Sequence, residues 1–432
     1  MAVQTLGIFA LLVFLMLLGL PVAVAMCLTS VVTLVLLGQL DILGVMGQRM
    51  YASTTAFPLL AIPFFILAGN LMNTGGMTER IFRFAHSLVG HFKGGLGQVN
   101  VLGSMVFAGM SGSALADAMG LGSIEVKAMV KAGYEPRFAA AVSAASATIG
   151  PVIPPSIPLV IYGSMSGVSV GALFLGGLVP GLLMGIAMMV TVYIIAVRRN
   201  YPRERRATTR EVLSALAGGL AAIATPALIM GGILSGVFTP TEASVAACVY
   251  ALFLGLVVYR ELRWSDLPAI LWETVTQTAQ VMFIVAAAGL FGWLLIYLRV
   301  PDALISWLSA LSKEPLVVLV IINLILLVLG CFMEGIAIML LTIPIFMPII
   351  VQLGINPIHF GVLMTLNLML GLLTPPVGMV LYAMSSIARV PLMILAKELV
   401  PFLICLFAVL ALITVVPGFV TWLPALVMGT PR

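Results

Sequence analysis

The chain has 432 residues, is 62% hydrophobic and 8% charged, and carries a net charge of +5, with a mean hydropathy of +1.23. A soluble globular domain carries about 25% charged residues, so this composition excludes a water-soluble enzyme and describes a chain built for lipid. Cys27, Cys248, Cys331 and Cys405 stand at no metal-ligand spacing, and His86, His91 and His359 form no cluster with carboxylates.

Apolar runs long enough to serve as membrane helices, which need about 20 residues each, recur from end to end. The first covers residues 6–18 and resumes at 22–37 after Pro21. It has neither a basic flank before it nor a small-residue cleavage site after it, so it reads as helix and not as a signal peptide. Residues 77–93 mix Glu79, Arg80, Arg83, His86, His91 and Lys93 with Ile81, Phe82, Phe84, Leu88 and Val89. That pattern predicts a helix lying along the membrane surface.

The stretch Phe107-Ala108-Gly109-Met110-Ser111-Gly112-Ser113 has apolar sequence on both sides and no charged loop between. Neither flank is long enough to cross alone. It predicts a re-entrant hairpin over about 99–130, with glycine supplying the turn and hydroxyls capping the returning helix. Then comes Gly150-Pro151-Val152-Ile153-Pro154-Pro155-Ser156. Three prolines in five residues remove three N–H donors and break the helix, here over about 138–165. Carbonyls of the preceding turn lose their partners and suit a hard cation such as Na⁺. The next helix turns its N–H groups and positive dipole end toward the same gap, where an anion is favoured.

An apolar run over 178–197 follows, and then a polar loop holding Arg198, Arg199, Arg203, Arg205, Arg206 and Arg210. With such apolar flanks, the arginines mark a cytoplasmic loop and not a nucleic-acid patch. The loop, 198–212, divides the chain into a first repeat, 1–197, and a second, 213–432. The second repeat shows an amphipathic stretch at 261–273, a similar piece at 301–312, and apolar runs at 281–298, 316–329 and 399–416. It holds its own hairpin tip, Cys331-Phe332-Met333-Glu334-Gly335, within about 315–350. Its own broken helix, over about 358–388, carries Gly371-Leu372-Leu373-Thr374-Pro375-Pro376.

The two halves correspond in order. Gly133-Tyr134-Glu135-Pro136 and Gly354-Ile355-Asn356-Pro357 lie 221 positions apart, as do Pro154-Pro155 and Pro375-Pro376, while Gly112 and Gly335 lie 223 apart. Matched helix breaks in two halves of one membrane chain point to a transporter's binding site. The expected fold is therefore an all-α polytopic membrane protein of two inverted repeats with re-entrant hairpins and broken helices. Ionisable residues deep in apolar sequence cost about 2.5–3.5 kcal/mol on insertion scales, so they face a cavity or a partner. Here they are Asp117, Glu242, Glu334 and Arg299. Glu334 stands at a hairpin tip, Asp117 is placed to brace the first hairpin, Glu242 forms a capping-box pattern with Thr239, and Arg299 is placed to snorkel or to hold a carboxylate. The sequence contains no phosphate-binding loop, no H-E-x-x-H and no G-x-S-x-G, which argues against ATP hydrolysis and membrane enzymology.

At these residues the chain resembles the large membrane subunit of tripartite ATP-independent periplasmic (TRAP) transporters, the DctM-like family. The phrases that carry the resemblance run from Ala61-Ile62-Pro63-Phe64-Phe65-Ile66-Leu67-Ala68-Gly69 through Ser111-Gly112-Ser113-Ala114-Leu115-Ala116-Asp117 to Pro154-Pro155-Ser156-Ile157-Pro158-Leu159-Val160-Ile161-Tyr162-Gly163. In the second half they are Thr239-Pro240-Thr241-Glu242-Ala243 and Leu373-Thr374-Pro375-Pro376-Val377-Gly378. The resemblance implies an elevator-type importer of the bacterial inner membrane, driven by a Na⁺ gradient. It also implies a small four-helix membrane subunit, here expected as a separate chain, and a periplasmic substrate-binding protein that delivers an organic acid. Carried onto this sequence, the substrate positions are Ser111, Ser113, Ser156, Glu334 and Thr374. The Na⁺ positions are Ser111, Gly112, Gly150, Pro154, Gly335, Gly371, Thr374 and Pro375, with Asp117 and Arg299 as further candidates. A stand-alone Na⁺/anion symporter is the alternative.

Overall fold

Backbone in hydrocarbon must satisfy its own hydrogen bonds, so the apolar runs fold as helices, and irregular chain survives only where protein or a polar cavity surrounds it. A computed structural model describes residues 2–201, 203, 205–302, 304 and 314–429, without the side chains of 2–5, 40 and 108–111. Among these the regular structure is helical throughout, and seven helices are long and apolar enough to cross a membrane.

The chain opens with α1 (Ala2–Leu17) and α2 (Val22–Leu36), separated at Pro21, then α3 (Met46–Thr54) and α4 (Ala61–Thr74). Helix α5 (Met77–Val89) is strongly amphipathic; it lies against α12 and α6. The first hairpin consists of α6 (Gly95–Ser111), a turn at Gly112, and the outgoing pair α7 (Ala114–Met119) and α8 (Leu121–Lys131). The first broken helix is α9 (Pro136–Ala147) and α10 (Ile157–Ser166), and α11 (Val170–Arg198) carries the chain to the arginine loop.

The second half repeats this order. Helices α12 (Thr209–Leu234), α13 (Pro240–Phe253) and α14 (Leu267–Tyr297) lead to a hairpin of α15 (Pro315–Gly330) and α16 (Gly335–Gln352). The broken helix is α17 (Pro357–Gly371) and α18 (Met379–Ala388), followed by α19 (Leu392–Val415) and α20 (Gly418–Met428). Thr239 and Glu242 cap α13 reciprocally: Glu242 Oε2 accepts the Thr239 N–H at 2.7 Å and Thr239 Oγ1 accepts the Glu242 N–H at 3.3 Å.

The amphipathic stretch at 261–273 is not a separate surface helix. A short turn at Trp264–Asp266 runs directly into the 31-residue α14. Pro268 sits in the first turn, where its missing N–H leaves no bond unmade, and no glycine or proline interrupts the chain until Gly289. Most of the similar piece at 301–312 lies outside the described residues.

The core is built around the first segments of the two broken helices. Every residue of α9 from Phe138 to Ala147 is buried, as is every residue of α17 from Ile358 to Gly371. Alanine and serine dominate α9, which lets neighbouring backbones approach closely; α6, α8, α18 and α19 all pack on it.

Candidate functional site

Four interruptions meet in two pairs, and each hairpin tip lies against the broken helix of its own half. At the first tip Gly112 adopts φ +62°, a backbone conformation that glycine tolerates and other residues resist. The space where a Cβ would sit is 3.1 Å from the Ile157 nitrogen and 3.4 Å from the Pro155 carbonyl oxygen. At the second tip the chain comes closer still. A Cβ on Gly371 would stand 2.5 Å from the Cα of Gly330, and the Gly378 N–H donates to the Cys331 carbonyl at 3.1 Å.

The halves also interlock. Helix α10, which follows the first Pro-Pro pair, packs on α16, which follows the second hairpin tip; α18, which follows the second Pro-Pro pair, packs on α7, which follows the first tip. Tyr162 on α10 donates its hydroxyl to the Pro357 carbonyl at 2.7 Å. Tips and gaps of both halves thus belong to one packed body.

The carbonyls of the turns before the prolines do not lose their partners as expected: Ala145, Ser146, Ala147 and Ile149 accept tight-turn bonds from the N–H groups of Thr148, Ile149, Gly150 and Val152, and Leu370 and Gly371 accept from Leu373 and Thr374, so the carbonyls left over lie within the gaps themselves. Both Pro-Pro bonds are cis. None of the described backbone hydrogen bonds ends on the carbonyls of Gly150, Pro154 or Pro155, nor on those of Thr374, Pro375 or Pro376. Oxygens of this kind are hard-cation ligands, so the donor set fits Na⁺. The Gly371 carbonyl accepts the Thr374 N–H at 3.0 Å and keeps a second lone pair. Gly335 opens α16 and is buried.

The side chains proposed from sequence are distributed as follows. Ser156 is fully buried; its Oγ accepts the Leu159 N–H at 3.2 Å and donates to the Pro151 carbonyl. Ser113 caps α7, accepting the Ala116 N–H at 3.4 Å. Glu334 is half-buried and caps α16, its Oε2 accepting the Ala337 N–H at 3.2 Å. Thr374 donates to the Leu370 carbonyl at 2.8 Å. Ser111 ends α6, and its side chain lies outside the described residues. Asp117, 4% exposed, lies with its carboxyl against Gly150, where the first hairpin meets the first gap. Arg299 is exposed, with φ +54°, just past the end of α14. The two gaps differ in access. Residues 150–162 are all buried, whereas Pro375, Pro376 and Tyr382 are exposed.

Sequence reasoning passed over the polar ties behind the gaps. Asn100 on α6 donates through Nδ2 to Ser143 Oγ at 2.6 Å, and its Oδ1 accepts from Ser146 Oγ at 2.6 Å. In the other half Asn323 on α15 is tied to Asn367 on α17 at 2.9 Å. The signal was present: Asn100 and Asn323 are 223 positions apart, the shift of the hairpin glycines, and Ser146 and Asn367 are 221 apart, the shift of the Pro-Pro pairs.

Paired hairpins and broken helices in a multi-pass chain whose described residues form helices alone define a membrane transporter. The particular family follows from likeness over the whole chain. The profile of the tripartite ATP-independent periplasmic transporter, DctM component, matches residues 9–419, and the chain belongs to that family. It is 47% identical over 411 residues to the sialic acid TRAP transporter large permease protein SiaM of Vibrio cholerae, covering 95% of this chain and 96% of that one. It is 40% identical over 390 residues to the C4-dicarboxylate TRAP transporter large permease protein DctM of Pseudomonas aeruginosa, covering 90% and 91%. Among solved structures, the Alcanivorax borkumensis YdaH transporter shares the fold with a TM-score of 0.67 at 14% identity, covering 88% of this chain and 89% of that one.

Proposed function

We propose that this large permease carries an organic acid anion into the cell together with Na⁺, by an elevator movement of the body that holds both hairpins and both broken helices. The observation that carries this reading is the convergence of unpaired carbonyls and helix starts at each gap. Carbonyl oxygens of Gly150, Pro154, Thr374 and Pro375 supply cation ligands, with the backbone of Ser111, Gly112, Gly335 and Gly371 around them. The starts of α10 and α18 turn their positive dipole ends toward the gaps, which favours a carboxylate; the Leu159 N–H is taken by Ser156 Oγ, and those of Gly378, Val380 and Leu381 by the Cys331 and Leu372 carbonyls. Ser111, Ser113, Ser156, Glu334 and Thr374 are the side chains assigned to the substrate. Each of the last four is held in place by a backbone hydrogen bond.

Bound Na⁺ would neutralise the carboxylate's charge and so lower the cost of carrying it through a low-dielectric path. The remaining helices, α14 among them, form the static frame. The substrate class is a carboxylate of the kind named for the relatives, sialic acid or a C4-dicarboxylate. A small four-helix membrane subunit and a periplasmic binding protein complete the system. The test is uptake of labelled organic acid by liposomes holding this chain, with and without each of the other two components and with and without an inward Na⁺ gradient. The proposal expects saturable uptake only when all three components and the gradient are present. Uptake by the chain alone would replace it with the stand-alone symporter. Flux that neither saturates nor needs Na⁺ would replace it with a channel.

A further inference from the structure

The cationic side chains along α5 and just past its end form one surface with those of the arginine loop. A groove of about 720 Å³ between α5 and the first turns of α12 is lined by Arg80, Arg83, His86, Arg205, Arg210 and Glu211. A second, of about 490 Å³, lies between the end of α5 and the end of α11, lined by His91, Phe92, Lys93, Arg203, Arg205 and Arg206. Arg205 borders both. Ion pairing within the protein uses part of this charge: Arg80 binds Glu261 at 2.7 Å, Arg83 binds Glu79 at 3.4 Å and Arg205 binds Glu211 at 2.5 Å. Among the described residues, no acid pairs with Arg203, Arg206 or Arg210, and all three are exposed.

The walls of the grooves continue onto apolar, outward-facing helix surface. Tyr193, Ile194 and Val197 on α11, Leu213 on α12, and Leu88 and Phe92 beside the end of α5 are all exposed. Both α11 and α12 are membrane-length helices. The grooves therefore sit where these helices meet the headgroup layer, a level at which amphipathic aromatics such as Tyr193 are favoured. An arginine-rich loop faces the cytoplasm, whose leaflet attracts basic segments.

We propose that these joined grooves bind the phosphodiester headgroup of an anionic phospholipid from the cytoplasmic leaflet. Arg203, Arg206 and Arg210 would hold the phosphate, and the acyl chains would lie along α11 and α12. Arginine suits this role because its planar fork donates two parallel hydrogen bonds to phosphate oxygens. A free anion would use the cations but leave the apolar walls uncovered, and a zwitterionic lipid would bring its own cation against the arginines.

The test is thermal unfolding and native mass spectrometry of the detergent-purified chain with added phosphatidylglycerol, phosphatidylcholine or sodium phosphate. Phosphatidylglycerol is expected to raise the melting temperature and to remain bound in the mass spectrum; phosphatidylcholine and phosphate are expected to do neither. The triple variant Arg203→Gln, Arg206→Gln, Arg210→Gln is expected to lose most of that shift, and the corresponding triple lysine variant to recover only part of it, since lysine restores the charge without the paired hydrogen bonds. Equal shifts with phosphatidylcholine, an undiminished shift in the glutamine variant, or the full shift with phosphate alone would each overturn the assignment. The lysine variant separates loss of the site from failure to fold.

Discussion

Asn367 Nδ2 donates to Asn323 Oδ1 at 2.9 Å and, at the same distance, to the Asn323 carbonyl, pinning the middle of the second broken helix to the ingoing limb of the second hairpin. Asn323 in turn donates to Thr414 Oγ1 at 3.1 Å. The first half makes the equivalent tie through Asn100, Ser143 and Ser146. Each hairpin is thus locked to its own broken helix by a buried amide. Breaking such a tie should loosen tip and gap together.

Asn367→Ala leaves the half-buried Asn323 amide oxygen and carbonyl without their donor. Orphaning a buried polar group costs about 1–3 kcal/mol. The expected result is a lower melting temperature in detergent and slower uptake. Asn100→Ala should behave alike, since it removes the partner of two buried hydroxyls. A variant as stable and active as the parent would show that the amides do not hold the hairpins.

Gly371→Ala should be tolerated far worse than its size suggests. Its Cβ would meet the Gly330 main chain at 2.5 Å, and backbone cannot rotate aside as a side chain can. The expected outcome is poor folding yield or lost uptake. Gly231→Ala on α12, where nothing lies within 4 Å of the new Cβ, should instead be neutral or stabilising by about 0.5–1 kcal/mol, the helix-propensity gain over glycine. Comparing expression and melting temperature of the two variants checks this.

Just past the end of α11, Arg199 joins the first half to the second. It contacts Glu398 on α19 at 2.6 Å and Glu135 at 3.2 Å. The Glu398 side chain is only 8% exposed, so Arg199→Gln would leave a nearly buried acid without its closest cation. Removing one partner of a fully buried pair costs about 3–5 kcal/mol; with Arg199 partly exposed, about 1–3 kcal/mol is expected, read as a drop in melting temperature.

The pH dependence of that junction has a defined sign. The hydrogen bond from Arg137, and then the charge of Arg199, hold the Glu135 carboxyl below its usual range. A depressed folded-state pKa gives stability that is present above the ordinary carboxylate range and is lost as pH falls through the lowered value. The melting temperature should therefore fall on acidification below about pH 5, the upper end of carboxylate titration. Glu135→Gln should show a smaller fall. An identical acid profile in wild type and variant would contradict the assignment.

Much of this arrangement was legible in the sequence because backbone interruptions are written in residue types. Gly112, the Pro-Pro pairs and the order of the two halves name the tips and gaps directly. The reach of α14 was less legible. The amphipathic residues at its start suggest a surface element, and only the lack of a breaker before Gly289 shows that the helix continues. The amide ties were written in the same 223- and 221-residue shifts. A lone asparagine in an apolar run carries no signal, however, until its partner on another helix is known. Access was not legible at all: residues 150–162 and Pro375-Pro376 read alike, yet one segment is buried and the other exposed; α11 lies over Val152 and Ile153 through Gly177 and Gly181, a packing that the residue types of the gap do not announce.

The most direct measurement is the initial rate of Na⁺-driven organic-acid uptake by liposomes containing the complete three-component system, with Ser156→Ala or Thr374→Val in this chain and Gly231→Ala as the control. The account predicts that each site variant loses about tenfold or more in rate, the equivalent of about 1.4 kcal/mol of transition-state stabilisation, while remaining folded. The control should transport as the parent does. Parental rates in both site variants would contradict the assignment of the two gaps as the transport site.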